Sequence, residues 1–305
     1  MDYISTLTNQ IILMFIVIVL GFILKKIKFY SDAFIKDLGN LLFVVINPLT
    51  IFNAFANQYS ASKAKEMLIG FSLVILMYAI SIIFANILFH DPKYYIEKFG
   101  SIINNPGFFG LPIIIAVFGQ EAVFYAAASI TINTIVQWTY GAYIMSGDKK
   151  AMSLKTIITN TSIIAFALGF FFFFTRIRVT QIVCNTINSL SNMMGPICSL
   201  IVGSNLVGFN FKKLKDNVVE IVVCLLRLVI VLLCAVFIFK FISNDYFMLK
   251  FTLLIAMSTP CGSSTSVFAN MYNKDHEKAA MLVCLCTLLC GITMPLITSL
   301  AIKIW

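Results

Sequence analysis

The chain has 305 residues, 60% of them hydrophobic and only 11% charged, with a mean hydropathy of +0.95. Soluble domains carry about 25% charged residues, so a water-soluble globule is excluded and a polytopic membrane protein is implied. The net charge of +9 is dispersed over short loops instead of clustering with aromatics, which argues against nucleic-acid binding.

Apolar runs close to 20 residues long predict membrane helices; a membrane barrel would alternate over runs of about 10. The first run, 8–24, follows Met1-Asp2-Tyr3 and stops at Lys25-Lys26. It lacks a basic leader and a small-residue cleavage site, so it reads as a retained helix and not a signal peptide. The second, 36–57, contains Asn47-Pro48, and the third covers 67–89.

The fourth run, 97–118, holds Asn104-Asn105-Pro106-Gly107 and then Gly110-Leu111-Pro112. Each proline removes a backbone donor and clashes with the preceding turn, so a gap is predicted near Asn105. The two carboxamides would be costly in lipid without partners or a ligand. The alternative is a proline kink with no ligand. In the fifth run, 121–145, Asn133, Thr134 and Gln137 form a polar stripe one turn long. Such a stripe lines a cavity or serves as hydrogen-bonding glue between helices.

Gly147–Ser153 joins two halves, 1–150 and 151–305. The second half has runs at 154–174, 181–209, 217–240, 249–272 and 278–302, giving five predicted helices in each half and an all-α bundle of ten. Gly195-Pro196 in the seventh run corresponds to Asn47-Pro48 at an offset of 148, and Pro260 in the ninth to Pro106 at an offset of 154. An odd number of spans per half makes the second copy enter from the opposite face, an inverted repeat.

Arg227 is the one charge deep within a run. Its burial costs at least about 2.5–3.5 kcal/mol, so it needs a partner or water. Pairing with Glu220, snorkelling, or a fixed positive charge beside an anion pathway would each satisfy it. The ninth run presents Ser258-Thr259-Pro260-Cys261-Gly262-Ser263-Ser264. Its hydroxyls alone are weak evidence, since they often bond back to their own helix.

Paired mid-membrane breaks point to a substrate site, because irregular backbone persists in a bilayer only where protein or a water-filled cavity satisfies it. The N-termini of the distal half-helices would present partial positive charge to an anion. Carbonyls at the C-terminal ends of the proximal half-helices could instead hold a cation.

All thirteen acids fall in loops or near run ends, which disfavours coupling through a mid-membrane carboxylate. The eight cysteines, Cys184 to Cys290, lack metal-ligand spacing, and His90 and His276 sit at run ends. No metal, cofactor or catalytic constellation is expected. With the N-terminus outside, cytoplasmic loops hold fourteen basic residues against seven on the outer side, so both termini are expected outside the cytoplasm.

The Asn-Pro break expected in the second run, Asn104-Asn105-Pro106-Gly107-Phe108-Phe109-Gly110-Leu111-Pro112, and the stretch from Thr259 to Tyr272 together resemble the auxin efflux carrier family. The short central loop resembles its prokaryotic members, often labelled malate permeases. The resemblance implies a scaffold of helices 1, 2, 6 and 7 and a transport domain of helices 3–5 and 8–10, an architecture shared with bile acid:sodium symporters. It also implies elevator-type movement of the transport domain and a carboxylate bound near Asn105, Pro106 and Pro260. The expected activity is export of a small organic anion across the plasma membrane. The alternative is a Na⁺-coupled importer of the same fold. A homodimer is compatible with the sequence.

Overall fold

The computed structural model describes residues 3–56, 59–208 and 218–305. The loop bearing Lys212, Lys213 and Lys215, and the expected run limits at 57, 209 and 217, lie outside them. The described residues form helices and no strand. The helices are α1 (Tyr3–Lys26), α2 (Asp32–Phe55), α3 (Ala61–Leu88), α4 (Tyr95–Ile102), α5 (Pro106–Phe118), α6 (123–146) and α7 (Thr161–Thr175). They continue with α8 (Gln181–Ser191), α9 (Met194–Asn205), α10 (Val218–Phe239), α11 (Phe247–Met257), α12 (Ser264–Met271) and α13 (His276–Ile304). Each predicted apolar run is filled by one helix or by a helix pair.

Five of these helices, α1, α2, α3, α10 and α13, are long and apolar enough to cross a bilayer, and the bent pair Lys149–Ile158 and Thr161–Thr175 adds a sixth candidate. Ile12, Ile16, Leu68, Ile83, Phe237 and Ile292 are more than half exposed, an outward apolar surface suited to lipid. Helix starts follow local chemistry: Ser31 and Ser60 accept the Phe34 and Lys63 N–H groups, and Asn160 accepts those of Ser162 and Ile163, as N-caps do.

Prolines shape the interruptions in different ways. Around Pro48 the helix does not break; it widens into a π turn over Leu42–Ile46, with the Asn47 N–H bonded to Leu42 O. Further π turns occur at Pro106–Gly110, Gln137–Gly141 and Leu226–Ile230. Such bulges turn side chains away from the regular helical register. Only 103–105 and 258–263 separate half-helices that face each other.

The helices pack into one continuous bundle. α1 lies along α9, and α7 lies along the 47–55 part of α2; α1 also meets α5 and α13, and α6 meets both α2 and α7. α3 contacts α6 and α11, while α10 contacts α4 and α13. Glycine permits the closest approach: a Cβ on Gly203 would stand 2.0 Å from Ile18 O and 2.8 Å from Phe22 N, and one on Gly21 would stand 2.6 Å from Leu200 O. Small residues let membrane helices meet backbone to backbone where burial from water supplies no force between them. Gly203→Val is therefore expected to push α1 from α9 and cost about 1–3 kcal/mol or more. Gly39→Ala, where an added Cβ meets nothing within 4 Å, should melt no lower than the parent. Thermal unfolding of the two purified variants in detergent checks this.

Candidate functional site

The two interrupted stretches touch. Asn104 and Cys261 form an isolated antiparallel bridge, and the Gly262 N–H donates to Ile103 O at 3.0 Å. Glycine is required here by space, since a Cβ on Gly262 would lie 3.0 Å from Asn104 O and 2.7 Å from Ser264 Oγ. Side chains complete the joint. Asn104 Nδ2 donates to Ala256 O at 3.0 Å, and Thr259 Oγ1 accepts the Asn105 N–H at 3.2 Å while donating to Ala256 O at 2.7 Å.

A clamp from neighbouring helices fixes Asn104. Its N–H donates to Asn133 Oδ1, and Asn133 Nδ2 donates back to Asn104 O, each at 3.2 Å. The Tyr78 hydroxyl from α3 lies 2.5 Å from Asn104 Oδ1 and 2.8 Å from Asn133 Oδ1, with one proton to donate between them. Asn133 thus works partly as interhelical glue, although it also reaches a cavity.

That cavity, about 220 Å³, has its blind end at the crossing. One wall is Phe43, Val44 and Asn47 with Asn160, Thr161 and Ser162; the other comprises Asn104 to Phe108, Ile130, Asn133, Thr134, Gln137, Trp138 and Gly262 to Ser264. Asn104 to Gly107 are buried, whereas Gln137, Trp138, Asn160 and Thr161 are half-buried, so the mouth lies beside the linker between the halves. A smaller apolar cavity of about 70 Å³ shares Phe43, Asn105, Phe108 and Ser263 with it. The Phe43 and Phe108 rings, edge to face at 4.0 Å, border both.

Two helix N-termini open into the larger cavity. Asn105 precedes α5 and Ser263 precedes α12, and neither side chain makes a cap hydrogen bond. The Phe109 and Gly110 N–H groups return to Asn105 O, and those of Thr265 and Ser266 to Gly262 O and Ser263 O, so the Gly107, Phe108 and Ser264 N–H groups are the first-turn donors left to whatever fills the space. Asn47 is 4% exposed; its Nδ2 donates to Ser162 Oγ at 3.2 Å, while Oδ1 has no partner.

Eleven of the residues singled out in the sequence therefore surround one space: Asn47, Asn104, Asn105, Pro106, Gly107, Asn133, Thr134, Gln137, Gly262, Ser263 and Ser264. Thr259, Pro260 and Cys261 do not line it; they are buried on the opposite side of the joint, where Cys261 N–H points at Cys286 Sγ, 3.2 Å away. Arg227 does not line it either. Nor does Arg227 pair with Glu220, which faces Lys278 Nζ at 3.6 Å, while Lys278 also meets Glu97 at 2.5 Å. Phe43, Trp138, Ser162 and Tyr78 carried no break or charge to mark them in the sequence.

A family model described as membrane transport protein matches residues 6–298. The chain belongs to that family. It is the auxin-efflux-carrier-like group that the two broken stretches resemble, a family of membrane transporters and not of enzymes. An uncharacterized transporter of Methanocaldococcus jannaschii is 24% identical over 286 residues, covering 89% of this chain and 91% of that protein.

The joint carries its own stability test. Thr259→Val keeps the shape but leaves the buried Asn105 N–H without an acceptor, which should cost about 1–3 kcal/mol. Thr259→Ser retains the oxygen and should cost less than about 1 kcal/mol. Paired melting curves of the two variants measure the difference.

Proposed function

We propose that this transporter exports a small organic anion, a mono- or dicarboxylate, across the plasma membrane. The observation that carries the reading is the meeting of two helix N-termini without side-chain caps in one cavity. Free N–H groups at the positive ends of two helices favour a carboxylate, and Ser263, Ser264 and Gln137 can donate to its oxygens. The cavity is smaller than the roughly 300–1,000 Å³ of drug-sized ligand sites, which suits a small solute.

In this reading ten spans form a 5+5 inverted repeat, 1–150 and 151–305. The packing supports it: α1 on α9 and α7 on 47–55 are the same contact made with the halves exchanged. α1, α2, α7, α8 and α9 form the scaffold. α3 to α6 and α10 to α13 form a transport domain that slides against it as an elevator. The two cavity walls fall on either side of that division. The excess of basic residues places both termini outside, so the cavity mouth beside the 147–160 linker opens to the cytoplasm and the structure represents an inward-open form. An inside-negative potential drives each exported negative charge outward by about 2.3 kcal/mol per 100 mV, which needs no other energy source.

Thermal-shift screening of carboxylates, inorganic cations and neutral solutes tests the reading. Carboxylates should stabilise the purified protein, and Ser263→Ala and Gln137→Leu should each weaken the selected carboxylate at least about tenfold, the loss of one hydrogen bond to a charged group. Stabilisation by cations or neutral solutes alone would remove the anion assignment. A counterflow signal in proteoliposomes that requires a sodium gradient would favour a Na⁺-coupled importer instead.

A further inference from the structure

Arg227 is 2% exposed and sits in the π turn Leu226–Ile230 of α10. Its guanidinium spans the two proximal half-helices: Nη1 lies 3.3 Å from Ser101 O and 3.5 Å from Ile102 O at the end of α4, and Nη2 lies 3.3 Å from both Met257 O and Thr259 O at the end of α11. The acid two turns away, Glu220, is directed to Lys278. The charge is therefore compensated by carbonyls. Each helix C-terminus carries about half a negative charge, so two of them together balance one guanidinium.

Carbonyls at unwound half-helix C-termini are the groups with which broken-helix transporters hold a coupling cation. Here four such oxygens already face the guanidinium of an arginine. We propose that Arg227 is a built-in cation: it fills, permanently and covalently tethered, the carbonyl site at the crossing that an exchangeable monovalent cation would otherwise occupy. It acts as a positioning residue. By holding both C-terminal ends from behind, it sets the separation of the two N-terminal ends that face the cavity, and it leaves that carbonyl site with no place for a sodium ion. The bearing on transport rests on the carrier reading above, but the occupancy of the site does not.

The test begins with the unmodified full-length protein in detergent, melted in NaCl, KCl and choline chloride at equal ionic strength. The expected melting temperatures agree within about 1 °C, since a ligand without a site gives no linkage stabilisation. A rise specific to sodium overturns the proposal by itself, whatever the variants do. Arg227→Ala should melt several degrees lower and acquire what the parent lacks, a stabilisation by millimolar guanidinium chloride or by Na⁺ relative to choline. Arg227→Lys should recover part of the lost stability without added cation, through a point charge in place of the fork. An alanine variant as indifferent to guanidinium and Na⁺ as the parent, with lysine no better than alanine, would reduce Arg227 to packing and sink the idea. If alanine does not yield folded protein, the lysine variant and the parent's salt series still decide. None of these arms uses an organic anion, so failure to find a transported carboxylate is a separate result.

Discussion

The constraint on which this structure depends is that a backbone interrupted within a membrane must have its freed groups satisfied by protein or by a cavity. At the crossing the exposed carbonyls can be followed individually. Phe99 O takes the Ile103 N–H, Ile103 O takes the Gly262 N–H, and Leu254 O and Ile255 O share the Ser258 N–H. Ala256 O receives Asn104 and Thr259, Ser258 O receives Cys290 Sγ, and Ser101, Ile102, Met257 and Thr259 face Arg227. The acceptor side is accordingly closed by groups from α10, α13 and the two linkers, which ties α4, α10, α11 and α13 together.

Much of this was readable in the sequence where the chemistry is local. Pro106 and Pro260 each remove a backbone donor and crowd the preceding turn, and Asn104-Asn105 beside the first of them are too polar to face lipid, so both breaks and their polar character follow from a few adjacent residues. Pro48 shows the limit of that reasoning: a π turn five residues long absorbs its missing donor, and the helix goes on. Which side of a break a residue occupies was also beyond the pattern. Thr259 and Ser263 lie in the same polar run, yet one braces the joint and the other lines the cavity. Arg227 was conspicuous as a charge, but its acceptors are main-chain carbonyls, which every residue has and no sequence displays. Tyr78, Ser162 and Trp138 were silent for a similar reason, since ordinary helix residues acquire their roles only from packing.

The two halves solve the same problem with different side chains. In the first break a carboxamide supplies a donor and an acceptor together, so Asn104 can reach Ala256 O with Nδ2 and present Oδ1 to Tyr78. In the second, hydroxyls do less each and are more numerous, with Ser258 bonding back to Leu254 O and Thr259 serving both Asn105 and Ala256. Shared architecture therefore does not require a shared residue at corresponding positions; it requires that donors and acceptors balance. In the inverted-repeat reading proposed above, this is why a repeat would show through its prolines and be faint elsewhere.

The balance at the crossing is one-sided, and the selectivity argued for the cavity comes from that asymmetry. Four helix ends converge there: two negative C-termini and two positive N-termini. Were all four capped by protein, the site would hold no net field toward a solute. The C-terminal pair is closed by a fixed cation with no exchangeable counterion, while the N-terminal pair begins at Asn105 and Ser263, whose side chains make no cap bond. With the C-terminal pair neutralised by the arginine behind the joint, the free N–H groups in front of it are left to draw negative charge to the cavity face. An anion preference would thus be produced without any basic side chain in the cavity wall, which leaves the wall free to be built from asparagine, serine and glutamine. These form hydrogen bonds that fix the orientation of a small carboxylate while remaining weak enough, singly, to release it.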